Sequence, residues 1–249
     1  MMQKQDIACA LSRYRVQTQS QGQVFRAVFF DMDGVLFDSM PAHSRSWCET
    51  ALHYGLEMTP EDAYRYEGQT GKHTIDLLYR SRYGRPATEA EAEAVYAHKT
   101  DLFVRYNSGA VISGAPEVVE RLRSLKRLLV TGSSQRSLLE KIEPDFPGVF
   151  TAERMITGRD VRRGKPDPEP YLMAIQRAEV ASSEAMVVEN APQGVRSASA
   201  AGCFTIAVNT GPLPDEALWC EGAHLVLPSM ASLLEAIPLL LENPSPPTP

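Results

Sequence analysis

The sequence predicts an α/β fold: a doubly wound parallel sheet interrupted by a block of helices. Three observations carry the prediction. Short apolar strands alternate with helical segments from about Gly114 onward. A lone apolar strand, "FRAVFF", stands far upstream of them. Between the two, from Pro41 to Asn107, the pattern is helical and poor in β-branched runs.

Taken in order, residues 1–22 are rich in Gln, and Ile7, Leu11 and Tyr14 are spaced to line one face of a short helix. They read as an appended N-terminal arm. "FRAVFF" is short, apolar and rich in Val and Phe, which is the pattern of a buried strand, and it ends at Asp31. In the helical block "EAEAVYAHKTDLFVRY" is the clearest helix, with Val95, Leu102, Val104 and Tyr106 among many strong helix formers. Beyond it "RLLVTG" follows the helical "APEVVERLRSL", "AMVVEN" follows "PEPYLMAIQRA", "CFTIAVN" follows "APQGVRSASAAG", and "HLVL" comes last. Strands joined through helices in this way pair in parallel. The first strand belongs to the same sheet, so residues 23–40 and 108–242 are read as the core and 41–107 as an insertion. Residues 243–249 close the Pro-rich "ENPSPPTP" and are read as a flexible tail.

Composition bounds the function. A hydrophobic content of 43% with 22% charged residues is that of an ordinary globular protein. The formal net charge of −6 argues against nucleic acid as a partner, because phosphate backbones call for a basic surface. It leaves room for a small anionic metabolite, which needs only a local cluster of positive groups. No apolar run approaches the ~20 residues of a membrane span. The N-terminus has a brief apolar stretch followed by arginines and does not read as a secretory signal. Cys9, Cys48, Cys203 and Cys220 are far apart and form no metal motif, so free thiols and a cytoplasmic location are expected.

The chemistry gathers at strand ends. In open α/β sheets ligands sit at the carboxyl ends of the strands. The first strand delivers Asp31 and Asp33 there, "RLLVTG" delivers Thr131, Gly132 and then Ser133, and "AMVVEN" delivers Glu189 and Asn190. Lys165 lies in "RRGKPDPEP", a loop leading into a helix. Taken singly, each has an ordinary reading as a turn, a helix cap or a solvated charge. Taken jointly, at successive strand ends, they read as a site. Two carboxylates forced together repel and resist desolvation, a cost that a cation and a substrate phosphoryl group would offset.

Four stretches, "DMDGVLFDS", "VTGSS", "GKPDP" and "VVEN", match in order the four motifs of the haloacid dehalogenase superfamily, and the resemblance covers Phe25 to about Leu234. The insertion resembles the small helical cap of the β-phosphoglucomutase-like branch. The resemblance implies a Rossmann-like core carrying an all-helical cap. It implies Asp31 as the nucleophile that becomes an aspartyl-phosphate, and Asp33 as the acid and base toward the leaving and incoming oxygens. It implies Mg²⁺ held among Asp31, Asp33, Glu189 and Asn190. Lys165 would add positive charge, and Thr131 with the backbone at Gly132 and Ser133 would hold phosphate oxygens. Ser39, His43 and Trp47 fall where this branch places hinge and substrate-proximal residues.

Two departures stand out. The fourth motif commonly ends in two acidic residues and here reads Glu189-Asn190, which removes one negative charge. The mutase pattern has a lysine before the cap-loop glycine and an arginine shortly after it. Here Glu67 precedes Gly68, with Lys72 or His73 left to supply a cation. The sequence therefore reads as an Mg²⁺-dependent phosphatase of small sugar or polyol phosphates, monomeric or weakly homo-oligomeric. A β-phosphoglucomutase-type mutase is the alternative, and a non-catalytic phosphometabolite sensor is the less favoured third reading.

Overall fold

The computed structural model describes residues 4–19, 24–133 and 139–242. Strand β1, Ala27–Phe30, is buried along its whole length. It sits centrally because it pairs in parallel with β2 (Lys126–Val130) on one side and β4 (Ala185–Glu189) on the other. The two-residue β3 (Met155–Ile156) extends the sheet beyond β2, and β5 (Phe204–Val208) and β6 (Leu225–Leu227) extend it beyond β4. Among the described residues the order is β3-β2-β1-β4-β5-β6, all parallel. The chain reverses its direction of winding between β1 and β4, and that is the switch point at which such sheets bind ligands.

Alternation along the strands splits the core in two. Val28, Phe30, Leu129 and Val188 face one side, while Ala27, Phe29, Leu128 and Val187 face the other. Burial on both faces is what near-continuous apolar strands require. The first face is covered by α1 (Lys4–Thr18), α6 (Ala115–Arg121) and α11 (Met230–Leu241), and the second by α8 (Glu169–Ala178) and α9 (Pro192–Ala200). Short helices α7 (Ile142–Asp145) and α10 (Asp215–Trp219) fill the connections. Residues 4–18, read from the sequence as an appendage, pack into the core: Ile7, Ala10, Leu11 and Tyr14 are buried, and the Tyr14 hydroxyl donates to the Gly202 carbonyl at 2.7 Å. The proline-rich residues 243–249 lie outside the described residues.

Between β1 and β2 run α2 (Met40–His53), α3 (Pro60–Arg65), α4 (Gly71–Tyr83) and α5 (Glu89–Tyr106). Thr59 and Thr88 open α3 and α5 with capping boxes, completed by Asp62 and Glu91. Such caps contribute about 1 kcal/mol each by satisfying the unpaired N–H groups of the first turn. These helices bury their own apolar centre around Trp47, Ala51, Ile75, Leu78 and Val95. The chain leaves the sheet and returns to it side by side, since the Asp38 N–H donates to the Ala110 carbonyl at 2.9 Å. The helical cap therefore hangs from paired connections at the carboxyl end of β1. In α5 the cap face carries Phe103 rather than Val104, which is 57% exposed. The helix turns Val95, Lys99, Leu102 and Phe103 inward together.

Candidate active site

Asp31 follows β1 directly, with its N–H bonded to the Val188 carbonyl of β4 at 3.0 Å. Lys165, from the loop before α8, reaches across the strand ends. Its Nζ donates to Asp31 Oδ1 and Glu189 Oε1, both at 2.6 Å, and to the Val130 carbonyl at 3.0 Å. All three side chains are buried. The other claims on Glu189 come from Tyr171, whose hydroxyl donates to Oε1 at 2.7 Å, and from the backbone N–H groups of Asn190 and Ala191, which donate to Oε2. The carboxylate fits because residue 194 is glycine: a Cβ there would collide with it. Tyr171 is fully buried and escaped the sequence reading. Its place six residues after Lys165, on the inward face of α8, was the available signal.

The electrostatics of this cluster are unbalanced. Burial pushes the Asp31 carboxyl well above its usual range. Lys165 opposes that push, while Glu189 and Asp33 add to it. Burial alone would lower Lys165, but Asp31 and Glu189 outweigh it and raise the lysine. One ammonium thus faces more negative charge than it neutralises. Beside it, Asn190 Oδ1 is buried and meets no donor among the described residues. A surplus of negative charge next to an unsatisfied amide oxygen is a donor set suited to a hard cation.

Asp33 has entirely different partners. Ser39 Oγ donates to its Oδ1 at 2.5 Å, and His43 Nε2 lies 3.0 Å from the same oxygen. Ser39 stands at the start of α2 but makes no side-chain cap, because its hydroxyl is turned to Asp33 instead. Burial would raise Asp33, yet His43, Ser39 and Lys99 prevail and hold it below the ordinary carboxylate value. Behind His43, Lys99 Nζ lies 2.7 Å from Nδ1. An ammonium has only donors, so Nδ1 accepts and Nε2–H donates to Asp33. Burial lowers Lys99 to about 8 in spite of Glu67 and Asp33 nearby. Lys99 also escaped the sequence reading. Its register with Val95 and Leu102 marks it as inward-facing.

The remaining predicted residues separate. Thr131 is buried, and its Oγ accepts the Ser133 N–H at 3.0 Å, which aims the hydroxyl proton elsewhere. Gly132 is where the cap meets the core: a Cβ there would strike the Gly68 carbonyl. Gln193 Nε2 donates to the Arg65 carbonyl at 3.2 Å and adds a second tie between the two parts. Trp47 sits in the cap centre with its ring 5.3 Å from Lys99 Nζ, and it also borders the cleft. Lys72 is exposed at the start of α4 and lines a neighbouring cavity with Tyr96 and Arg159, away from Asp33. Asp33, His43 and Glu67 offer ligand atoms within 4.8 Å of one another. The space left in the cleft is about 30 Å³, room for one or two waters.

The four cysteines are free, and no helix among the described residues is long and apolar enough to cross a membrane. The chain is similar over most of its length to known phosphate-handling proteins. A solved structure from Bacteroides vulgatus, provisionally described as a beta-phosphoglucomutase, superposes with a TM-score of 0.91 at 42% identity, covering 96% of this chain and 98% of that one. Hexitol phosphatase A of Escherichia coli is 33% identical over 74% of this chain and 83% of its own. A phosphorylated carbohydrates phosphatase of Thermotoga maritima is 32% identical over 71% and 81%. The haloacid dehalogenase-like hydrolase description matches residues 25–202, from β1 through the cap to β4 and α9, and so includes every strand end that carries the cluster. With that sheet order, that insertion and those relatives, the chain belongs to the haloacid dehalogenase-like hydrolase family.

Proposed function

We propose that the protein hydrolyses phosphate monoesters of small sugars or polyols by way of an aspartyl-phosphate on Asp31. The observation that carries the reading is the division of labour between two carboxylates two residues apart. Asp31 is tied to Lys165 on the core, while Asp33 is tied to Ser39 at the root of the cap and to His43 within it. Two titratable groups held in opposed environments are suited to opposed roles.

Asp31 attacks phosphorus, and Lys165 holds its orientation and offsets the charge of the incoming phosphoryl group. Thr131 and the backbone at Gly132 and Ser133 cradle the phosphate oxygens. Asp33 rests ionised. The arrival of a phosphate dianion beside it raises its proton affinity, so that it takes up one proton from solvent, gives it to the leaving oxygen and then takes a proton from the attacking water. His43 and Lys99 orient Asp33. Both belong to the cap, so the acid and base is complete only when the cap lies on the core. The narrow cleft means that the cap must swing away to admit an ester.

The residues present fit a divalent cation. Asp31, the Asp33 backbone carbonyl and the unpaired Asn190 Oδ1 would hold Mg²⁺, with Glu189 steadying Lys165 and the loop from behind. Mg²⁺ there would supply the missing positive charge that keeps Asp31 ionised against a phosphate dianion. Hydrolysis is favoured over a mutase cycle because Glu67, which brings no positive charge, borders the cleft where a second phosphate would have to lie. We place the enzyme in the cytoplasm, as a monomer or weak homo-oligomer acting on a small phosphorylated metabolite, a reading consistent with its free thiols.

The test is Mg²⁺-dependent phosphate release across a panel of sugar and polyol phosphates, with Asp31→Asn as the control. The variant keeps its melting temperature and loses turnover at least ~10³-fold, because an amide is nearly isosteric but poorly nucleophilic. Substantial residual turnover by a pure, folded Asp31→Asn sample would reject the mechanism.

A further inference from the structure

The amino ends of β2 and β3 carry a second concentration of charge, at the end of the sheet opposite Asp31. Lys126 and Arg127 open β2, Arg154 immediately precedes β3, and Arg177 stands in the last turn of α8. With Arg123 they line a cavity of about 440 Å³, a volume within the range of small-molecule sites. Lys126 and Thr131 lie at opposite ends of β2, about 16 Å apart at the rise of a strand. The chain as a whole has a formal net charge of −6. Five cations around one cavity, with Glu153 as the one carboxylate among the described residues lining it, reverse that sign locally.

Backbone carbonyls hold these side chains more than carboxylates do. Arg127 donates to the Val119 carbonyl at 2.9 Å, Arg177 to the Met155 carbonyl at 2.5 Å and Lys126 to the Ala178 carbonyl at 2.6 Å. A carbonyl accepts an N–H and neutralises no charge, so each guanidinium keeps further donors and its full charge. Glu120 pairs with Arg123 at 2.7 Å but reaches Arg127 only at 4.0 Å, and Glu179, 3.7 Å from Lys126, is largely exposed. Arg154 and Arg177 have no carboxylate within 4.0 Å among the described residues. The C-terminus of α8 accounts for a cation at Lys126 or Arg177, but not for five cations together. Arg127, whose side chain is 14% exposed, feels the crowding. Burial lowers its pKa, and Arg154 and Arg123 lower it further against the opposing pull of Glu120. An anion among these groups relieves that repulsion, and fixing the guanidiniums beforehand reduces the entropy lost on binding it.

We propose that this cavity is a second anion site, remote from the hydrolytic cleft, that takes a small polyphosphate. Planar guanidiniums pair with phosphate oxygens two at a time. Here they come from the start of β2, the approach to β3 and the end of α8, so the charge is spread over more than one phosphate group can span. No aromatic side chain among the described residues lines the cavity, which leaves a nucleobase without a stacking surface. What the site recognises is therefore the polyphosphate chain itself, whether free or as the tail of a nucleotide. Because the two sites lie at opposite ends of the sheet, polyphosphate and substrate bind together. The inference is independent of the monoester hydrolysis proposed above.

The experiment titrates tripolyphosphate by calorimetry, without Mg²⁺, into wild type, Arg154→Ala/Arg177→Ala and Arg154→Lys/Arg177→Lys. Kd rises at least ~tenfold in the alanine pair, which loses two charged hydrogen-bonding partners, and about threefold in the lysine pair, which keeps the charge and loses the fork. Orthophosphate binds wild type at least ~tenfold more weakly than tripolyphosphate, since it reaches fewer of the cations. ATP separates the two sources of the ligand: affinity equal to that of tripolyphosphate marks the free chain, tighter binding marks a nucleotide tail, and either supports the site. Both substituted positions are exposed, and melting temperatures verify folding. Hydrolysis of p-nitrophenyl phosphate with Mg²⁺ stays unchanged in both pairs, as the cleft is untouched. Undiminished tripolyphosphate binding by the alanine pair would put the anion elsewhere, the cleft included, and overturn the inference. Wild-type affinity in the lysine pair, or orthophosphate binding as tight as tripolyphosphate, would also overturn it by reducing the cavity to diffuse surface charge.

Discussion

The core and cap halves of the site hold their charges in different ways. On the core side, Lys165 contacts two buried carboxylates directly, and Tyr171 and backbone N–H groups satisfy what remains of Glu189. On the cap side no lysine or arginine among the described residues touches Asp33. The His43 ring stands between it and Lys99, and a hydroxyl supplies the other bond. The core arrangement is a dense ion cluster with a shortage of positive charge. The cap arrangement is a relay that can be taken apart when the cap moves, since each link is one hydrogen bond. The comparison teaches that Asp31 is held by groups of the core alone, whereas Asp33 takes its His43 and Lys99 partners from the cap.

The largest expected effect breaks the core half. Lys165→Met leaves Asp31 and Glu189 buried without their cation. Losing one partner of a buried ion cluster costs about 3–5 kcal/mol of stability, and turnover falls at least ~10³-fold once Asp31 loses its orientation and charge support. Urea denaturation and phosphate release measure the two. A stability loss under about 1 kcal/mol would mean that the cluster relieves itself by protonation and is less rigid than the geometry suggests.

A smaller effect isolates the relay. Lys99 is cationic below about pH 8 and neutral above it. The link to His43 that depends on the ammonium is therefore complete at lower pH and lost as pH rises through 8. Wild-type kcat should fall on the alkaline side with an apparent midpoint near that value. Lys99→Met should lower kcat about tenfold to a hundredfold, in keeping with impaired general acid and base catalysis, and should flatten the alkaline limb while leaving Asp31 phosphorylation by a reactive ester less affected. A limb that persists unchanged in Lys99→Met would assign it to another group. The unfolded chain binds a proton at an ordinary lysine between about 8 and 10.4, where folded Lys99 has lost its own. Lys99 therefore contributes to stability increasingly as pH rises through that window, opposite in direction to its effect on rate.

The smallest effect sharpens the charge shortage on the core side. Asn190→Asp adds an anion to a pocket that already holds Asp31 and Glu189. Without Mg²⁺ the melting temperature should drop by about 2–4 °C, the shift that ~1 kcal/mol produces in a chain of this size. Saturating Mg²⁺ should restore it, and the Mg²⁺ concentration for half-maximal rate should fall. Thermal melts with and without Mg²⁺ read the first effect and a metal titration reads the second. An unchanged metal requirement would place residue 190 off the cation.

Much of this was legible before any coordinates. Asp31, Asp33, Thr131 and Glu189 all sit at or beside strand ends, and a strand end is visible in sequence because an apolar run stops abruptly at a polar residue. The cap partners were less legible. Lys99 reads as one more surface lysine in a charged helix, and Val104 reads as core, until helix packing shows which of two adjacent stripes faces inward. Glu67 stands out in the sequence only as a departure from a pattern. β3 is two residues long, too short for any periodicity, and α1 gave no sign of what its apolar face would cover.

The sequence by itself determined the parallel sheet, the helical insertion and the core-side charges. Those features follow from local rules, namely where apolar runs begin, how they repeat and which residues end them. Only the tertiary structure decided which partner each charge would have: that Lys165 takes Asp31 and Glu189 together, that Tyr171 completes Glu189, and that Asp33 is governed from the cap through His43 and Lys99. The physical reason is that hydrogen bonds and Coulomb interactions act over a few ångströms in space. Residues separated by as many as 134 positions in the chain meet at that range only after the sheet has formed and the cap has closed on it.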